Sequence, residues 1–307
     1  MSTTWGRSLG TVWDRPGARA VPFGSNSMQH GTAVFEGIRC YATDRGPAVF
    51  RLDAHLRRLL ESARLLGIRH DYDLTRMRQV VLDAARLPGP DDRYLRPVLF
   101  TAEPALGVDL RRFRFELAVE VYAMAGPRGG RPEGAAGLRL TVSSWRRPPA
   151  TTFPPQAKAT GSYAVSALAR TAAAEQGFDD AIQLDQVTGR VAEATIANVF
   201  LVRGGLLTTP WLVDGPLAGI TRDAVLVLAR RLGVPVEEGP VTVADLRRAQ
   251  EVFLTGTAAE VVPATEVDGH PLDASGPVFS RLVRAFSDTV RGRAYGELGW
   301  LTATSDH

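Results

Sequence analysis

The sequence predicts an α+β fold, and three features lead there. Short runs rich in apolar and β-branched residues read as strands. Turn residues join several of these runs as hairpins, and amphipathic helices fall among them without strict βαβ alternation. In chain order, "AVFRL" (48–52) reads as a strand and "DAHLRRLLESARLLGI" (53–68) as a helix with Asp53 as its N-cap. Leu56, Leu59, Leu60, Ala63 and Leu66 recur at helical spacing and mark one buried face. "RYLRPVLFTAE" and "FRFELAVEVYAMA" read as two further strands. "AGPRGGRPEGAAG" (125–137) is rich in Gly and Pro, lacks periodicity and reads as a connection between domains. The expected organisation is a domain over 1–124, an interdomain loop over 125–135 and a second domain over 136–307. In the second domain, "LRLTVSSW", "DAIQLD", "RVAEA", "NVFLV", "LLTTP" and "EVFLTG" are strand-like, and helices are expected at about 163–176, 221–232 and 242–249. "DQVTGR" and "VRGGL" are the hairpin turns.

Composition excludes several classes of function. The formal net charge is +3, and arginines are interleaved with Asp and Glu without a run of like charges, which argues against a nucleic-acid partner. A single cysteine, Cys40, cannot form an internal disulfide and fits a reducing compartment. "MSTTWGRSLG" has no apolar core of a signal peptide, and no run of about 18 apolar residues is present. The expectation is a cytoplasmic protein without membrane contact. The histidines (30, 55, 70, 270 and 307) show no metal-ligand spacing, and neither a P-loop nor a GxGxxG sequence occurs.

One residue stands against the rest. Of 36 basic residues, 35 are arginine; the remaining one is Lys158, in "PPATTFPPQAKATGSY" (148–163). A guanidinium stays protonated, whereas a lysine amine can lose its proton and act as a nucleophile that forms a Schiff base. Pro154 and Pro155 set an extended approach to Lys158, Gly161 permits close backbone contact after it, and Tyr163 supplies a hydroxyl. The plainer alternative is a chance lysine on a solvated loop.

Other segments suit a phosphorylated aldehyde cofactor. "PLAGITRDAVLVLARRLG" (216–233) puts Gly219, Ile220 and Thr221 at a helix entry, where free N–H groups and the dipole favour phosphate. Thr221 as a simple N-cap is the alternative. Gly256-Thr257 in "FLTGTAAE" (253–260) follows a strand and offers amides for a second arm of an anion site. Glu193 in "VAEATIANVF" is suited to pair with a pyridine nitrogen, or else is an ordinary exposed strand carboxylate.

Taken in order, these segments resemble the branched-chain amino acid aminotransferase family, within the class IV (D-amino-acid-transaminase-like) fold of pyridoxal-phosphate enzymes. The resemblance is carried by "HGTAVFEGIRCY" (30–41), "VFRLDAHLRRLLESA" (49–63), "YLRPVLF" (94–100) and "VSSWRRPPATTFPPQAKATGSY" (142–163). It continues through "VAEATIANVFLV" (191–202), "GPLAGITRDAV" (215–225) and "EVFLTGTAAEVVPATEVDG" (251–269), covering about residues 13–270. It implies fold type IV: a small N-terminal α/β domain and a larger C-terminal pseudo-barrel domain, with pyridoxal 5′-phosphate between them, in a homodimer.

By the same resemblance, Lys158 is the Schiff-base lysine and proton shuttle, Tyr163 bonds the cofactor's phenolic oxygen, and Glu193 partners its ring nitrogen. Arg58, Ile220, Thr221 and Thr257 match phosphate ligands, with Gly219 and Gly256 beside them. Periodicity alone would leave Arg58 solvated. Phe35, Gly37, Tyr94 and Arg96 match the substrate pocket, and the Thr257-Ala258 amides match the α-carboxylate site. The implied activity moves an amino group between an aliphatic, branched-chain or related L-amino acid and a 2-oxo acid such as 2-oxoglutarate. "YLRP" (94–97) favours L- over D-amino acids.

Departures are visible too. Gln29-His30-Gly31 stands where the family reads His-Tyr-Gly, Arg128 where an aromatic is common, and "EATIAN" (193–198) lacks the glycine-rich step. His30 and Arg128 would make the pocket more polar, or would only bond to each other or to a partner subunit. They motivate two alternatives on the same fold: a lyase resembling aminodeoxychorismate lyase, or a biosynthetic transaminase acting on a modified amino acid. A non-catalytic scaffold is a third reading, opposed by the intact lysine, tyrosine and glutamate.

Overall fold

The computed structural model describes residues 8–14, 21–124 and 137–304. The chain divides into two units, one drawn from Met1–Gly126, Ala157–Tyr163 and Thr289–His307, the other from Pro127–Gln156 and Ala164–Asp288. The expected single cut therefore needs correction, because Ala157–Tyr163 and the C-terminal segment group with the first unit. Long-range backbone pairing is the reason. Ala159 forms an antiparallel bridge to Val34, and the strand Leu301–Ala303 pairs with Ala48–Phe50. The expected loop 125–135, with Arg128, lies outside the described residues.

The first unit holds a seven-stranded sheet made of β1 (Ser8–Trp13), β2 (Val34–Phe35), β3 (Ile38–Tyr41), β4 (Ala48–Phe50), β5 (Arg93–Thr101), β6 (Phe115–Ala123) and the C-terminal strand. Its order is β1-β6-β5-β3-β4-C-terminal strand, with β2 also paired to β5, and every pairing is antiparallel. Among the described residues, three α-helices accompany it: α1 (Asn26–His30), α2 (Leu52–Leu65) and α3 (Leu74–Ala85). α2 begins after Arg51, whose φ of 53° lies in the left-handed region. That turn is held because Arg51 N donates to Trp300 O at 2.6 Å and the guanidinium lies 4.6 Å from the Trp300 ring centroid. Asp53 thus sits inside the first turn and pairs with Arg78 instead of capping the helix. Leu56, Leu59 and Ala63 are buried as the periodicity predicts, while Leu60 and Leu66 are half-buried. His55 and Ser62 are buried with them, which the hydrophobic pattern does not foresee.

The second unit is built on a nine-stranded sheet: β7 (Leu138–Val142), β8 (Asp180–Leu184), β9 (Val191–Ala194), β10 (Asn198–Arg203), β11 (Leu206–Pro210), β12 (Val236–Gly239), β13 (Glu251–Gly256), β14 (Glu260–Val267) and β15 (His270–Pro271). The order is β12-β11-β10-β13-β14-β7-β8-β9, with β15 on β14. Both predicted hairpins form. β8 and β9 pair antiparallel, and β10 turns into β11 through Gly204 (φ 58°) and Gly205 (φ 79°), the positive angles a two-residue hairpin requires. Parallel pairs β11–β12, β14–β7 and β7–β8 complete a mixed sheet. β9 is an edge strand in this order, yet Ala194 N donates to Ala197 O at the entry to β10. The sheet therefore curls back on itself as a half-barrel, around a core that includes Leu140, Ile182, Val199, Leu254 and Val262. Its helices are α4 (Tyr163–Glu175), α5 (Ile220–Arg231), α6 (Val243–Arg247) and α7 (Pro277–Val290). Among the described residues, no helix is long and apolar enough to cross a membrane.

Candidate active site

Lys158 belongs to the first unit, beside β2, at the centre of a tight turn in which Ala159 N donates to Ala157 O at 2.9 Å. Its carbonyl accepts from Phe35 N at 3.0 Å, its own N–H donates to the buried Ser62 Oγ at 3.0 Å, and Ala159 bridges to Val34. Just beyond, Gly161 packs on Gly31. Gly161 N donates to Gly31 O at 3.0 Å, and a Cβ added to either glycine would come within 3.0 Å of the other's backbone. The close approach expected at Gly161 is therefore real, and its partner is Gly31. With the backbone fixed on both sides, Lys158 Nζ lies 2.8 Å from Tyr163 Oη.

Aromatic and cationic groups extend from this pair. The Phe35 ring lies 5.0 Å from the Tyr163 ring and 5.0 Å from Lys158 Nζ. Arg96 stacks 4.5 Å from the Phe35 centroid and donates to Tyr94 Oη at 3.2 Å. The Tyr94 phenol in turn lies over Gly37, where a Cβ would come within 2.0 Å of Oη. Phe35, Gly37, Tyr94, Arg96, Lys158 and Tyr163 are thus brought together. His30 is exposed at the end of α1, its Nδ1 3.3 Å from Asn26 Nδ2, immediately before Gly31.

Arg58 is not solvated, although its place on the helical wheel suggests that it would be. Its Nε and Nη2 donate to the Glu36 carboxylate at 2.6 and 2.8 Å, and His55 Nδ1 lies 2.8 Å from Glu36 Oε2. Glu36 is fully buried, and the Gly37 N–H also donates to it at 3.2 Å. Burial alone would raise the Glu36 pKa, but the charge and hydrogen bonds of Arg58, then of His55, hold it well below the usual carboxylate range. For His55 the balance falls the other way: burial pushes its pKa down despite the Glu36 contact.

In the second unit, Glu193 on β9 is 6% exposed, which corrects the reading of it as an exposed strand carboxylate. Arg147 Nη2 lies 3.0 Å from its Oε1, while Asn198 Nδ2 and Leu217 N each donate to Oε2 at 3.2 Å. Asn198 also donates to Leu217 O at 2.9 Å and lies so close to Gly219 that a Cβ there would meet Oδ1 at 1.9 Å. Gln156 holds the same segment from another direction, donating to Pro216 O and accepting from Ala218 N, both at 2.8 Å. α5 then begins with Gly219 as N-cap and no side-chain cap, and Ile220 and Thr221 are its first two, buried, residues. Thr221 is therefore not the N-cap. Gly256 ends β13, and Thr257 and Ala258 form the turn into β14.

The model of the class IV amino-transferase family matches residues 33–267. The branched-chain-amino-acid aminotransferase of Escherichia coli K12 is 36% identical over 282 residues, 90% of each chain. The chain belongs to the branched-chain amino acid aminotransferase family. The structure of a branched-chain aminotransferase from Thermoproteus uzoniensis with norvaline superposes with a TM-score of 0.90 at 36% identity, covering 97% of this chain and 100% of that one. That of the branched-chain amino acid aminotransferase from Thermobaculum terrenum, in its pyridoxal-phosphate form, gives 0.88 at 32% identity, with 99% and 100% coverage.

The chain is thus a pyridoxal 5′-phosphate-dependent aminotransferase of class IV and fold type IV. Its residues fit that cofactor. A lysine amine is hydrogen-bonded to a tyrosine hydroxyl, α5 opens without a side-chain cap, and a buried carboxylate stands beside that opening. Thr255 Oγ1, two residues before Thr257, is buried without a hydrogen-bond partner among the described residues. Sequence reasoning missed the supports of this aminotransferase's site: Ser62, Glu36, Arg147, Asn198 and Gln156. All five lie inside motifs already singled out, so their membership of those motifs was the available signal.

Proposed function

We propose that the chain transfers an amino group from an aliphatic L-amino acid, of branched-chain or related type, to a 2-oxo acid such as 2-oxoglutarate. The observation that carries this is the fixed Lys158–Tyr163 pair, with Nζ 2.8 Å from Oη on a backbone held from both sides. The relatives support the substrate class. One solved neighbour holds norvaline, and another branched-chain amino acid aminotransferase has been solved with 4-methylvaleric acid and with N-(5′-phosphopyridoxyl)-L-glutamate.

When bound, pyridoxal 5′-phosphate supplies an aldehyde that condenses with amines and a protonatable ring that draws electrons from the bonds of the amino acid's Cα. Lys158 would hold it through Nζ, Tyr163 at the phenolic oxygen and Glu193 at the ring nitrogen. Its phosphate would go to Arg58, to Gly219, Ile220 and Thr221 at the α5 terminus, and to Gly256 and Thr257. Glu193 suits its role because its buried carboxylate is held in place by Arg147, Asn198 and the Leu217 N–H. Lys158 Nζ is the base that removes the Cα proton and, protonated, returns one in the reverse half of the cycle. Tyr163 Oη orients that amine. The Thr257 and Ala258 amides receive the α-carboxylate, while Phe35, Gly37, Tyr94, Arg96 and His30 shape the side-chain pocket, with Arg128 as a further candidate. We also propose a homodimer. Phe23 (81% exposed), Met28, Leu106 (90% exposed) and Val108 present apolar surface on two segments tied by the Ser25–Pro104 bridge.

The test is a donor panel on purified holoenzyme with borohydride trapping. Leu, Ile, Val or Glu should convert the cofactor to its pyridoxamine form, and reduction should leave a phosphopyridoxyl group on Lys158. Lys158→Arg keeps the charge but should lose the adduct and at least about 10³-fold in kcat. Appreciable turnover by that variant, or pyruvate release without conversion of the cofactor, would overturn the proposal.

A further inference from the structure

Thr255, near the end of β13, is 1% exposed, and its Oγ1 has no hydrogen-bond partner among the described residues. Buried polar groups are nearly always paired, so an orphaned one calls for an explanation. The sheet fixes where this side chain stands. β10 and β13 pair antiparallel, with Asn198 opposite Thr255, Val199 opposite Leu254 and Phe200 opposite Phe253. Directly opposed residues share a face, and faces alternate along each strand. Val199 and Leu254 face the core of the half-barrel. Phe200 and Phe253 stack on the other face, with ring centroids 5.2 Å apart, and alternation puts Asn198 and Thr255 on that face with them.

The contacts of Asn198 show what covers this face at the end of β13. Its Nδ2 donates to Glu193 Oε2 at 3.2 Å and to Leu217 O at 2.9 Å, and its Oδ1 lies against Gly219, the N-cap of α5. α5 itself packs on β13. Thr255 therefore stands beside Asn198 at the start of α5, one residue before Gly256-Thr257. Because α5 opens without a side-chain cap, a helix entry and a strand-end turn flank a buried hydroxyl that has nothing to bond.

We infer that Thr255 is a further cofactor-binding residue of this aminotransferase: its hydroxyl donates to a phosphate oxygen of bound pyridoxal 5′-phosphate. The inference rests on the proposed phosphate site at the α5 terminus and Gly256-Thr257. A phosphate presents acceptor oxygens, and a threonine hydroxyl carries a donor for one of them. Restricted χ1 freedom sets the direction of that hydroxyl before the cofactor arrives. In the free protein the same hydroxyl is destabilising, since it has lost water without gaining a partner. Removing it should therefore weaken the loaded protein without weakening the empty one, which a purely structural threonine would not do.

The experiment compares wild type with Thr255→Val, which is close in shape but lacks the hydroxyl, and Thr255→Ser, which keeps it. Equilibrium dialysis of each apoprotein measures the affinity for pyridoxal 5′-phosphate and for pyridoxal, which has no phosphate. Thr255→Val should raise the Kd for pyridoxal 5′-phosphate about 10–100-fold and leave that for pyridoxal within about twofold. Thr255→Ser should stay within about threefold of wild type for both. In thermal melts the Thr255→Val apoprotein should be no less stable than wild type. A Kd for pyridoxal 5′-phosphate within about twofold of wild type in Thr255→Val would overturn the inference, as would an equal loss for pyridoxal. So would a Thr255→Val apoprotein that melts lower or fails to fold, because the hydroxyl would then serve the fold. A wild-type apoprotein that binds pyridoxal as tightly as pyridoxal 5′-phosphate would overturn the phosphate site itself, and the inference with it.

Discussion

Replacing Glu36 by Gln changes one oxygen to an amide nitrogen at the centre of a buried cluster. The wild-type carboxylate accepts twice from Arg58, at 2.6 and 2.8 Å, and faces His55 at 2.8 Å and Gly37 N at 3.2 Å. Glutamine keeps the volume but removes the charge, and its NH₂ must face groups that are themselves donors. Removing one partner of a buried ion pair costs about 3–5 kcal/mol, because the remaining charge stays desolvated. At roughly 2–4 °C per kcal/mol for a chain of this size, the melting temperature should fall by roughly 6–20 °C. The pH dependence follows from the depressed pKa of Glu36. A carboxylate whose folded pKa lies below its unfolded value of about 4.3 contributes stability above that value and loses it as pH falls. The gap between wild type and Glu36→Gln should therefore hold across neutral pH and narrow below about pH 4. Thermal and urea unfolding of both proteins, with and without added pyridoxal 5′-phosphate, measures this. Cofactor affinity should fall as well, because Arg58 loses the group that aims it. A melting temperature within about 2 °C of wild type would refute the reasoning, since the cluster would then contribute little to folding.

Further predictions follow from the same geometry. Gly37→Ala puts a methyl group 2.0 Å from Tyr94 Oη, so the phenol must move and the bond from Arg96 is lost. Its KM for amino donors should rise at least about tenfold, at an overpacking cost of about 1–3 kcal/mol seen in urea unfolding. Gly219→Ala brings its Cβ within 1.9 Å of Asn198 Oδ1 and disturbs the contacts to Glu193 and Leu217; equilibrium dialysis should show weaker cofactor binding. His55 has a folded pKa below its unfolded value of about 6.5, so its contribution is present above that pH and lost as pH falls. Apoprotein stability should therefore decline between about pH 7 and pH 5, and His55→Gln should flatten that decline in a series of melts.

Much of the fold was legible locally. The strand runs at 93–101, 115–123, 198–203 and 251–256 and the hairpin at Gly204-Gly205 form where residue pattern and turn chemistry place them. Asp53 is an instructive miss. Its type and position suit an N-cap, but Trp300, distant in sequence, holds Arg51 in a left-handed turn and places the cap two residues earlier. Arg58 is another, because helical periodicity records only what lies on the helix itself. The partner that half-buries it, Glu36, comes from the β2–β3 connection.

By itself, the sequence determined the chemistry on offer: one amine among guanidiniums, a hydroxyl five residues beyond it, and a carboxylate and a helix entry in recognisable order. Those are properties of residue type and short spacing, which need no fold to be read. Only the tertiary structure decided how these groups are held. Ser62 and Phe35 fix the backbone of Lys158, Arg147 and Asn198 hold Glu193, and paired glycines at 31 and 161 let two segments touch. Each support joins residues far apart in sequence or on different elements, and hydrogen bonds and van der Waals contacts depend on distances in space.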